Sequence, residues 1–271
     1  TREENLLAQK VLKAMLPEVA QAKDKIKSVP ARRLPVTTTS APLTGASYPK
    51  LGPVIAIDGP AGTGKSSATR RLAERLGLIF VDTGALYRSV AFRALKQGWL
   101  VGAADEKLTK DQESRITHMA EKMQLEFKRL ADKVPMNRIF CDGEDITDQI
   151  RTLEVGMGAS RVSAIPGVRA ALLGLQRKLG AVGRSILEGR DIGTVIFPDA
   201  DVKFFVKASV DERAKRRLIE LEATGGETPS FEEVKRQIQL RDQADTSRAV
   251  APLRAAADAI ELDTTHLTLD E

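Results

Sequence analysis

One eight-residue segment constrains the fold of this chain more than any other feature, and it reads Gly59-Pro60-Ala61-Gly62-Thr63-Gly64-Lys65-Ser66. The apolar run Val54-Ile55-Ala56-Ile57 precedes it and is typical of a strand that is buried on both faces. The residues after it follow the period of an amphipathic helix. Strand, glycine-rich loop and helix in this order predict a phosphate-binding loop, because the glycines expose backbone N–H groups and the helix N-terminus adds partial positive charge. A glycine-rich turn with an incidental lysine and serine is the structural alternative.

The loop is a candidate site for ATP. Lys65 is predicted to reach the outer phosphates of a nucleoside triphosphate and to act in catalysis, and the Ser66 hydroxyl is predicted to bind Mg²⁺. The predicted ATP-binding residues of the loop are Gly59, Pro60, Ala61, Gly62, Thr63, Gly64, Lys65, Ser66 and Ser67.

The rest of the pattern predicts an α/β fold with a parallel sheet. The helix after the loop carries Ala68, Leu72 and Leu76 on one face and ends at Gly77. A second buried strand is predicted at residues 78–81, and strand–helix–strand units of this kind build parallel sheets. Further strands are predicted at residues 185–188, 202–206 and 259–262.

A stretch of about residues 110–165 interrupts this rhythm and predicts a small insert. Leu125-Glu126-Phe127 and Arg138-Ile139-Phe140 alternate in polarity, as the strands of a hairpin do. Asp142-Gly143 is a turn signal in the same stretch.

The N-terminal part of the chain differs from the rest. Residues 4–27 repeat apolar side chains every four positions and predict an amphipathic helix over residues 1–27. Residues 28–53 contain five prolines and predict a semi-extended linker. The helix either docks on the sheet of the following domain, or it is the tail of a fused upstream domain or an arm for self-association.

Composition limits the classes of protein that this chain can represent. Its 271 residues are 42% apolar, with 42 Lys and Arg against 37 Asp and Glu, a net charge of +5. This mild excess suits an anionic substrate and does not indicate a nucleic-acid-binding protein. The single cysteine excludes an intrachain disulfide, and no apolar run approaches the roughly 18 residues of a membrane span. We therefore expect a cytoplasmic protein without nucleic-acid or membrane partners, in which Cys141, His118 and His266 have no role in catalysis.

Two common classes of phosphate-loop protein fit the sequence poorly. A GTPase needs the guanine-reading pattern N-K-x-D after an apolar strand, and Thr109-Lys110-Asp111 is the nearest approach to it. A motor or ATPase needs an apolar strand that ends in an Mg²⁺-supporting aspartate, and none is convincing. Small-molecule kinases instead need arginines that hold two phosphorylated substrates, and this chain has them.

Three further motifs lie downstream of the loop in the order of one known family. They are Asp82-Thr83-Gly84-Ala85-Leu86-Tyr87-Arg88, the segment from Glu188-Gly189-Arg190-Asp191 to Asp199-Ala200, and the segment from Arg241-Asp242 to Pro252-Leu253. With the loop, they make residues 54–271 resemble the bacterial-type cytidylate kinases. The resemblance implies transfer of the γ-phosphoryl group of ATP to CMP or dCMP. It also implies a P-loop kinase fold with a five-stranded parallel core, a nucleoside-monophosphate-binding insert, and a mobile lid at about residues 221–231.

The resemblance assigns substrate roles to individual residues. Arg88 is implied to hold the acceptor phosphate, and Arg190 is implied to act in catalysis on the transferring phosphoryl group. The residues implied to bind CMP are Thr83, Tyr87, Arg88, Ser160, Arg169, Arg190, Asp191, Arg241, Asp245 and Arg248. Of these, Ser160, Arg169 and Asp191 are implied to read the cytosine edge, which offers an amine donor beside two acceptors.

A helix after Ser209 is predicted to bring arginines to the ATP. Ser209 and Glu212 have the spacing of a capping box, and Arg213 and Arg217 on this helix are predicted to bind ATP. A solvated charged face or structural ion pairs are the alternatives for all these arginines. The functional alternatives are another small-acceptor kinase and a module that binds nucleotide without turnover. We expect a monomer, and the sequence does not set the preference among CMP, dCMP and UMP.

Overall fold

The computed structural model describes residues 52–102, 106–129, 137–224 and 228–271. The predicted N-terminal helix, nearly all of the predicted linker and the centre of the predicted lid lie outside these residues. The described chain forms two compact units, one from residues 52–81 and 180–271 and the other from residues 82–179. No helix within the described ranges is both long enough and apolar enough to cross a membrane.

The strands and helices are numbered along the chain. The strands are β1 Val54–Asp58, β2 Ile79–Asp82, β3 Leu125–Arg129, β4 Asn137–Cys141, β5 Glu144–Asp145, β6 Ser185–Gly189, β7 Val202–Lys207 and β8 Ile260–Asp263. The helices are α1 Lys65–Leu76, α2 Thr83–Lys96, α3 Lys110–Lys122, α4 Leu153–Ser163, α5 Pro166–Ala181, α6 Val210–Thr224 and α7 Phe231–Ser247. A short 3-10 helix spans Gln149–Arg151, and a π-helical turn spans Ile192–Ile196.

The first unit is built on a five-stranded parallel sheet in the order β2-β6-β1-β7-β8. All five residues of β1 are buried, because β6 and β7 flank it and both faces of the sheet are covered. The register places Asp58 beside Gly189 of β6 and Phe205 of β7, so β1 and β6 end together while β7 continues two residues further, to Lys207. The predicted α/β fold, the five strands and the parallel sheet are confirmed.

The prediction that residues 78–81 form a buried strand is wrong in one respect. The strand exists as β2, but it lies at the edge of the sheet, and Ile79 is 50% exposed. An apolar run of four residues does not reveal strand order, which depends on partners distant in the chain.

Helix α1 begins and ends where the sequence predicts, with Gly77 after its last residue in a left-handed conformation at φ 65°. Of the predicted apolar face, Leu76 is buried and Leu72 packs partly buried against the core, but Ala68 is exposed, and Thr69 and Ala73 are buried instead. Lys65 fixes this rotation: it is buried at the start of the helix, and positions 69 and 73 follow it at intervals of four residues on the same face.

Helices α6 and α7 also belong to the first unit, and they flank residues 225–227, which the structure does not describe. They pack together through the buried side chains of Ala214, Val234 and Ile238. The Glu212 N–H donates to the Ser209 hydroxyl at 3.2 Å, which confirms the predicted start of α6. The other half of the predicted capping box is wrong, because the Ser209 N–H donates to the Thr265 hydroxyl and the Glu212 carboxylate accepts from Arg216, each at 2.9 Å.

The second unit combines a three-stranded antiparallel sheet, β3-β4-β5, with helices α2 to α5. The predicted insert of residues 110–165 lies within it, and the hairpin of β3 and β4 is confirmed. Asp142 and Gly143, at φ 53° and 84°, form the turn from β4 to β5. Its core includes the fully buried side chains of Leu86 and Ile116, together with Cys141.

Candidate active site

The loop after β1 keeps the backbone shape that phosphate binding needs. Gly59, Gly62 and Gly64 have φ of 147°, 78° and 83°, which side-chain-bearing residues rarely adopt. A Cβ atom on Gly59 would also overlap the carbonyl oxygen of Val206 on β7. Only glycine therefore fits at position 59, where the chain leaves the sheet.

Lys65 is held inside this loop by the loop's own oxygens. Its Nζ donates to the Pro60 carbonyl oxygen at 2.5 Å and to the Thr63 hydroxyl at 3.3 Å. The side chain is 6% exposed, and burial, with help from the positive charge of Arg190, lowers the pKa of Lys65 to about 7. The Lys65 amine is therefore only partly protonated near neutral pH, and an anionic ligand at the first turn of α1 would favour its charged form.

Glu188 is a site residue that sequence reasoning did not assign. The Ser66 hydroxyl donates to Glu188 Oε1 at 2.7 Å, and Glu188 is buried near the end of β6. A carboxylate at the end of an apolar strand is the signal that could have revealed it, since β6 lies directly beside β1.

The donor set of Ser66 and Glu188 is compatible with Mg²⁺, which takes one or two protein oxygens and completes its shell with phosphates and water. No cluster of three or more acidic, histidine or cysteine side chains suited to a metal occurs in the described part of the chain. A site of this kind would therefore depend on the oxygens of a bound triphosphate.

Asp58, the last residue of β1, is a second residue of the candidate site that the sequence did not predict. It is 4% exposed, and its two carboxylate oxygens accept hydrogen bonds from the backbone N–H groups of Ile192 and Gly193, each at 2.8 Å. Burial raises the pKa of Asp58 to about 6 against the lowering effect of these two hydrogen bonds.

A group of predicted CMP residues gathers around Asp245, which is buried on α7. Arg190 Nε donates to Asp245 Oδ2 at 3.0 Å, and Arg248 lies 3.9 Å from Asp245 Oδ1. Burial acts to raise the pKa of Asp245, but the positive charges of Arg190, Arg241 and Arg248 outweigh it and hold the pKa below its ordinary value. The structure thus brings Arg190, which is 55 positions away from Asp245 in the sequence, to the three residues at the C-terminal end of α7 in the first unit.

The two arginines predicted to bind ATP have different surroundings. Arg213 is buried and forms a two-pronged pair with Asp242 of α7, at 3.0 and 2.6 Å, and it also donates to the Ala61 carbonyl of the loop at 3.2 Å. Arg217 is partly exposed and pairs with Glu220 at 2.9 Å. Arg213 therefore supports the loop backbone through its own contacts, whereas Arg217 holds its charge nearer to solvent.

The second unit carries the motif that follows β2. Asp82 accepts the Ala85 N–H at 3.0 Å and so caps α2, and its other oxygen pairs with Arg88 at 2.6 Å. Thr83 and Tyr87 are buried on the same helix. Arg88, predicted to hold the acceptor phosphate, is thus oriented by Asp82 at the start of its own helix.

Ser160 and Arg169 lie on α4 and α5 of the second unit. The Ser160 hydroxyl oxygen is buried and has no hydrogen-bond partner among the described residues. Arg169 is 7% exposed, donates to the Ser163 carbonyl at 3.4 Å and lies with its guanidinium carbon 5.6 Å from the centre of the Tyr87 ring. A buried hydroxyl without a partner in the described chain is typical of a group that meets a ligand.

A family model described as cytidylate kinase matches residues 55–271. A protein named cytidylate kinase from Geobacter sp. (strain M21) is 46% identical over 220 residues, which cover 81% of this chain and 89% of that protein.

Other relatives are longer than this chain. A protein named bifunctional pantoate ligase/cytidylate kinase from Synechococcus sp. (strain JA-2-3B'a(2-13)) is 44% identical over 236 residues, or 87% of this chain and 42% of that protein. The chain thus spans about two fifths of the length of this relative. This match is longer than the segment of residues 55–271, so it also includes part of the sequence before residue 55.

The buried pair of Arg213 and Asp242 generates a prediction about stability. Asp242→Asn should lower the free energy of unfolding by about 3 kcal/mol, because the Arg213 charge stays buried without its anionic partner. Urea-induced unfolding measures the change. Glu220→Gln, which breaks an exposed pair with Arg217, is the matched control and should change the unfolding free energy by less than about 0.5 kcal/mol. Equal effects of the two substitutions would contradict a structural role for the Arg213 pair.

Proposed function

This chain belongs to the cytidylate kinase family, and from that membership we propose that it transfers the γ-phosphoryl group of ATP to CMP or dCMP. The products are ADP and CDP or dCDP. One observation carries the proposal beyond the family name. The phosphate loop with Lys65 follows β1, and the neighbouring strand β6 continues directly into Arg190 and Asp191 at the same end of the parallel sheet. The groups proposed to bind the donor and the acceptor therefore follow neighbouring strands, at the carboxyl ends where open α/β sheets bind ligands.

The loop residues 59–67 are proposed to hold the triphosphate of ATP. Backbone N–H groups that the glycines expose and the N-terminus of α1 attract phosphate oxygens. Lys65 then balances the charge of the outer phosphates. Arg217 is proposed to reach ATP from α6, and Arg213 to act on ATP through the loop backbone that it contacts at Ala61.

Mg²⁺ is proposed to accompany ATP, held from the protein side by Ser66, with Glu188 orienting its hydroxyl or water ligands. When bound, this ion neutralises charge on the phosphate oxygens during transfer. The hydrogen bond between Ser66 and Glu188 already holds both oxygen donors near each other at the first turn of α1.

Transfer is proposed to occur in line, directly from ATP to the acceptor phosphate and without a covalent enzyme intermediate. Phosphoryl transfer requires mainly positioning and positive charge around the equatorial oxygens, and Arg190 is proposed to supply that charge. Its pair with Asp245 holds the guanidinium in place at 3.0 Å. Arg241, Asp245 and Arg248 are proposed to bind the sugar and phosphate of CMP, as the family resemblance implies.

The other proposed CMP residues lie in the second unit, apart from Asp191. Arg88 is proposed to bind the acceptor phosphate, near Thr83 and Tyr87 on α2. Ser160, Arg169 and Asp191 are proposed to read the cytosine, and the buried Ser160 hydroxyl supports this because a base could satisfy it. The stretch of about residues 221–231 is proposed to act as a mobile lid that excludes water.

The sequence also fits two other functions. Another small-acceptor kinase would share the phosphate loop and differ in the acceptor, and a binding module would not need the arginines that surround Asp245. The cytoplasm is the proposed place of action, because ATP and CMP are available there. The monomeric state stays a prediction.

An acceptor screen tests the proposed function. With ATP and Mg²⁺, CMP and dCMP should be phosphorylated far faster than AMP, GMP and shikimate, measured as ADP release with the nucleotide product identified. Lys65→Ala is the control, and it should abolish turnover while the protein still binds CMP. Comparable rates for all acceptors would overturn the proposal, and so would near-normal activity of Lys65→Ala.

The pKa of Lys65 generates a prediction for ATP binding. That pKa is about 7 in the free protein, and neighbouring phosphates raise it, so binding of MgATP should take up a proton above pH 7. The dissociation constant should be nearly constant below pH 7 and should rise as the pH increases to 9, by at most about tenfold per unit. Titration calorimetry at pH 8 in two buffers of different ionisation enthalpy measures the proton uptake.

Lys65→Arg is the matched control for this pH dependence, since a guanidinium stays charged throughout the range. Its affinity for MgATP should be flat between pH 7 and 9, whatever its absolute value. Equal proton uptake by the wild type and Lys65→Arg would contradict the assignment to Lys65.

A further inference from the structure

Asp58 connects two parts of the site that the sequence places far apart. It is the last residue of β1 and stands directly before the first glycine of the phosphate loop. Its carboxylate accepts the N–H groups of Ile192 and Gly193, each at 2.8 Å, across 134 and 135 positions of sequence. These two amides open the π-helical turn of Ile192–Ile196, and Asp191 is the residue before that turn.

The two hydrogen bonds constrain the backbone on the C-terminal side of Asp191. Asp191 has φ −146° and ψ 26°, a conformation of neither helix nor strand, and its carbonyl oxygen accepts the N–H groups of Val195 and Ile196 at 2.9 and 3.2 Å. A carboxylate that accepts two successive amides fixes the orientation of both peptide groups. The direction in which the Asp191 side chain leaves the backbone therefore depends on Asp58 together with the hydrogen bonds of the π-helical turn.

The position is unfavourable for a carboxylate on its own. Asp58 is almost completely buried, and burial, together with the negative charge of Asp191, raises its pKa to about 6. The two amides and the positive charge of Lys65 favour the ionised form. An apolar side chain would avoid this cost but would leave the amides of Ile192 and Gly193 without their acceptors.

We propose that Asp58 is a positioning residue for acceptor recognition, which aims Asp191 at the exocyclic amine of the cytosine base. Because Asp58 is continuous with the phosphate loop, it also ties the acceptor-reading turn to the loop that holds the donor. This inference rests on the proposed function, in which Asp191 reads the base. The specificity for cytosine over uracil thus depends on a residue that does not itself touch the base.

Asp58→Asn in the full chain tests the inference. The amide keeps one acceptor oxygen but turns an N–H₂ group toward the second backbone amide, so the Asp191 turn loses one of its two restraints. We expect the KM for CMP to rise about tenfold and the ratio of kcat/KM for CMP over UMP to fall by a similar factor. The KM for MgATP should change much less.

Asp201→Asn is the matched control. Asp201 accepts the backbone N–H of Val54 at 2.8 Å, at the opposite end of the same strand. This variant should lose some thermal stability and keep the wild-type KM for CMP and the wild-type ratio of CMP over UMP. A purely structural role for Asp58 predicts the same behaviour in both variants, and that result would overturn the inference.

Amide hydrogen exchange on the wild type provides a test that does not depend on a folded variant. The N–H groups of Ile192 and Gly193 should exchange as slowly as those of β1, without any substrate present. Exchange at the rate of an open loop would overturn the inference. A wild-type protein without CMP kinase activity would overturn the proposed function and the recognition role together, whereas slow exchange of these amides would still stand.

Discussion

The parallel pairing of β1 with β6 on one side and β7 on the other determines where the phosphate loop, Glu188 and the turn after Asp191 lie. This register brings Asp58, Gly189 and Phe205 side by side at the carboxyl ends of β1 and β6. The phosphate loop begins there at Gly59, whose lack of a side chain allows the loop to pass the Val206 carbonyl. The loop, the carboxylate of Glu188 and the turn that begins after Asp191 are therefore consequences of one buried strand and its two neighbours.

Charged side chains are concentrated around the carboxyl ends of these strands, and most of them are buried or partly buried. Lys65, Arg190, Arg241 and Arg248 supply positive charge, and Asp245 and Glu188 compensate part of it. A buried charge is expensive unless it is paired or meets a ligand of opposite sign. Two phosphorylated substrates would provide that sign, which explains why so many cations are gathered here and why the pKa of Lys65 lies near neutrality without them.

Local patterns in the sequence predicted much of the fold. The apolar run of β1, the glycines after it and the helix cap at Ser209 each depend on neighbours within a few residues, and the structure contains all three. The edge position of β2 and the rotation of α1 were not predicted, because they depend on strand order and on the burial of Lys65.

The sequence predicted most residues of the candidate site but not which of them pair with one another. The pairs of Arg190 with Asp245 and of Arg213 with Asp242 span 55 and 29 positions, so no local signal links their members. The same holds for Asp58 with the amides after Asp191, and for Ser66 with Glu188. The family resemblance named most of the site residues, whereas the partners that hold them in place came from the structure.

The proposed activity is transfer of the γ-phosphoryl group from ATP to a cytidine monophosphate. Phosphorus NMR of the full chain with ATP, Mg²⁺ and CMP follows this transfer, because the signals of CMP, inorganic phosphate and the β-phosphorus of ATP are separate from those of nucleoside diphosphates, and chromatography of the same sample separates CDP from ADP. We expect the ATP and CMP signals to fall together while the diphosphate signals grow, with CDP and ADP formed in equal amounts and without inorganic phosphate. Release of inorganic phosphate in place of CDP, or unchanged spectra of ATP and CMP, would contradict the proposed activity.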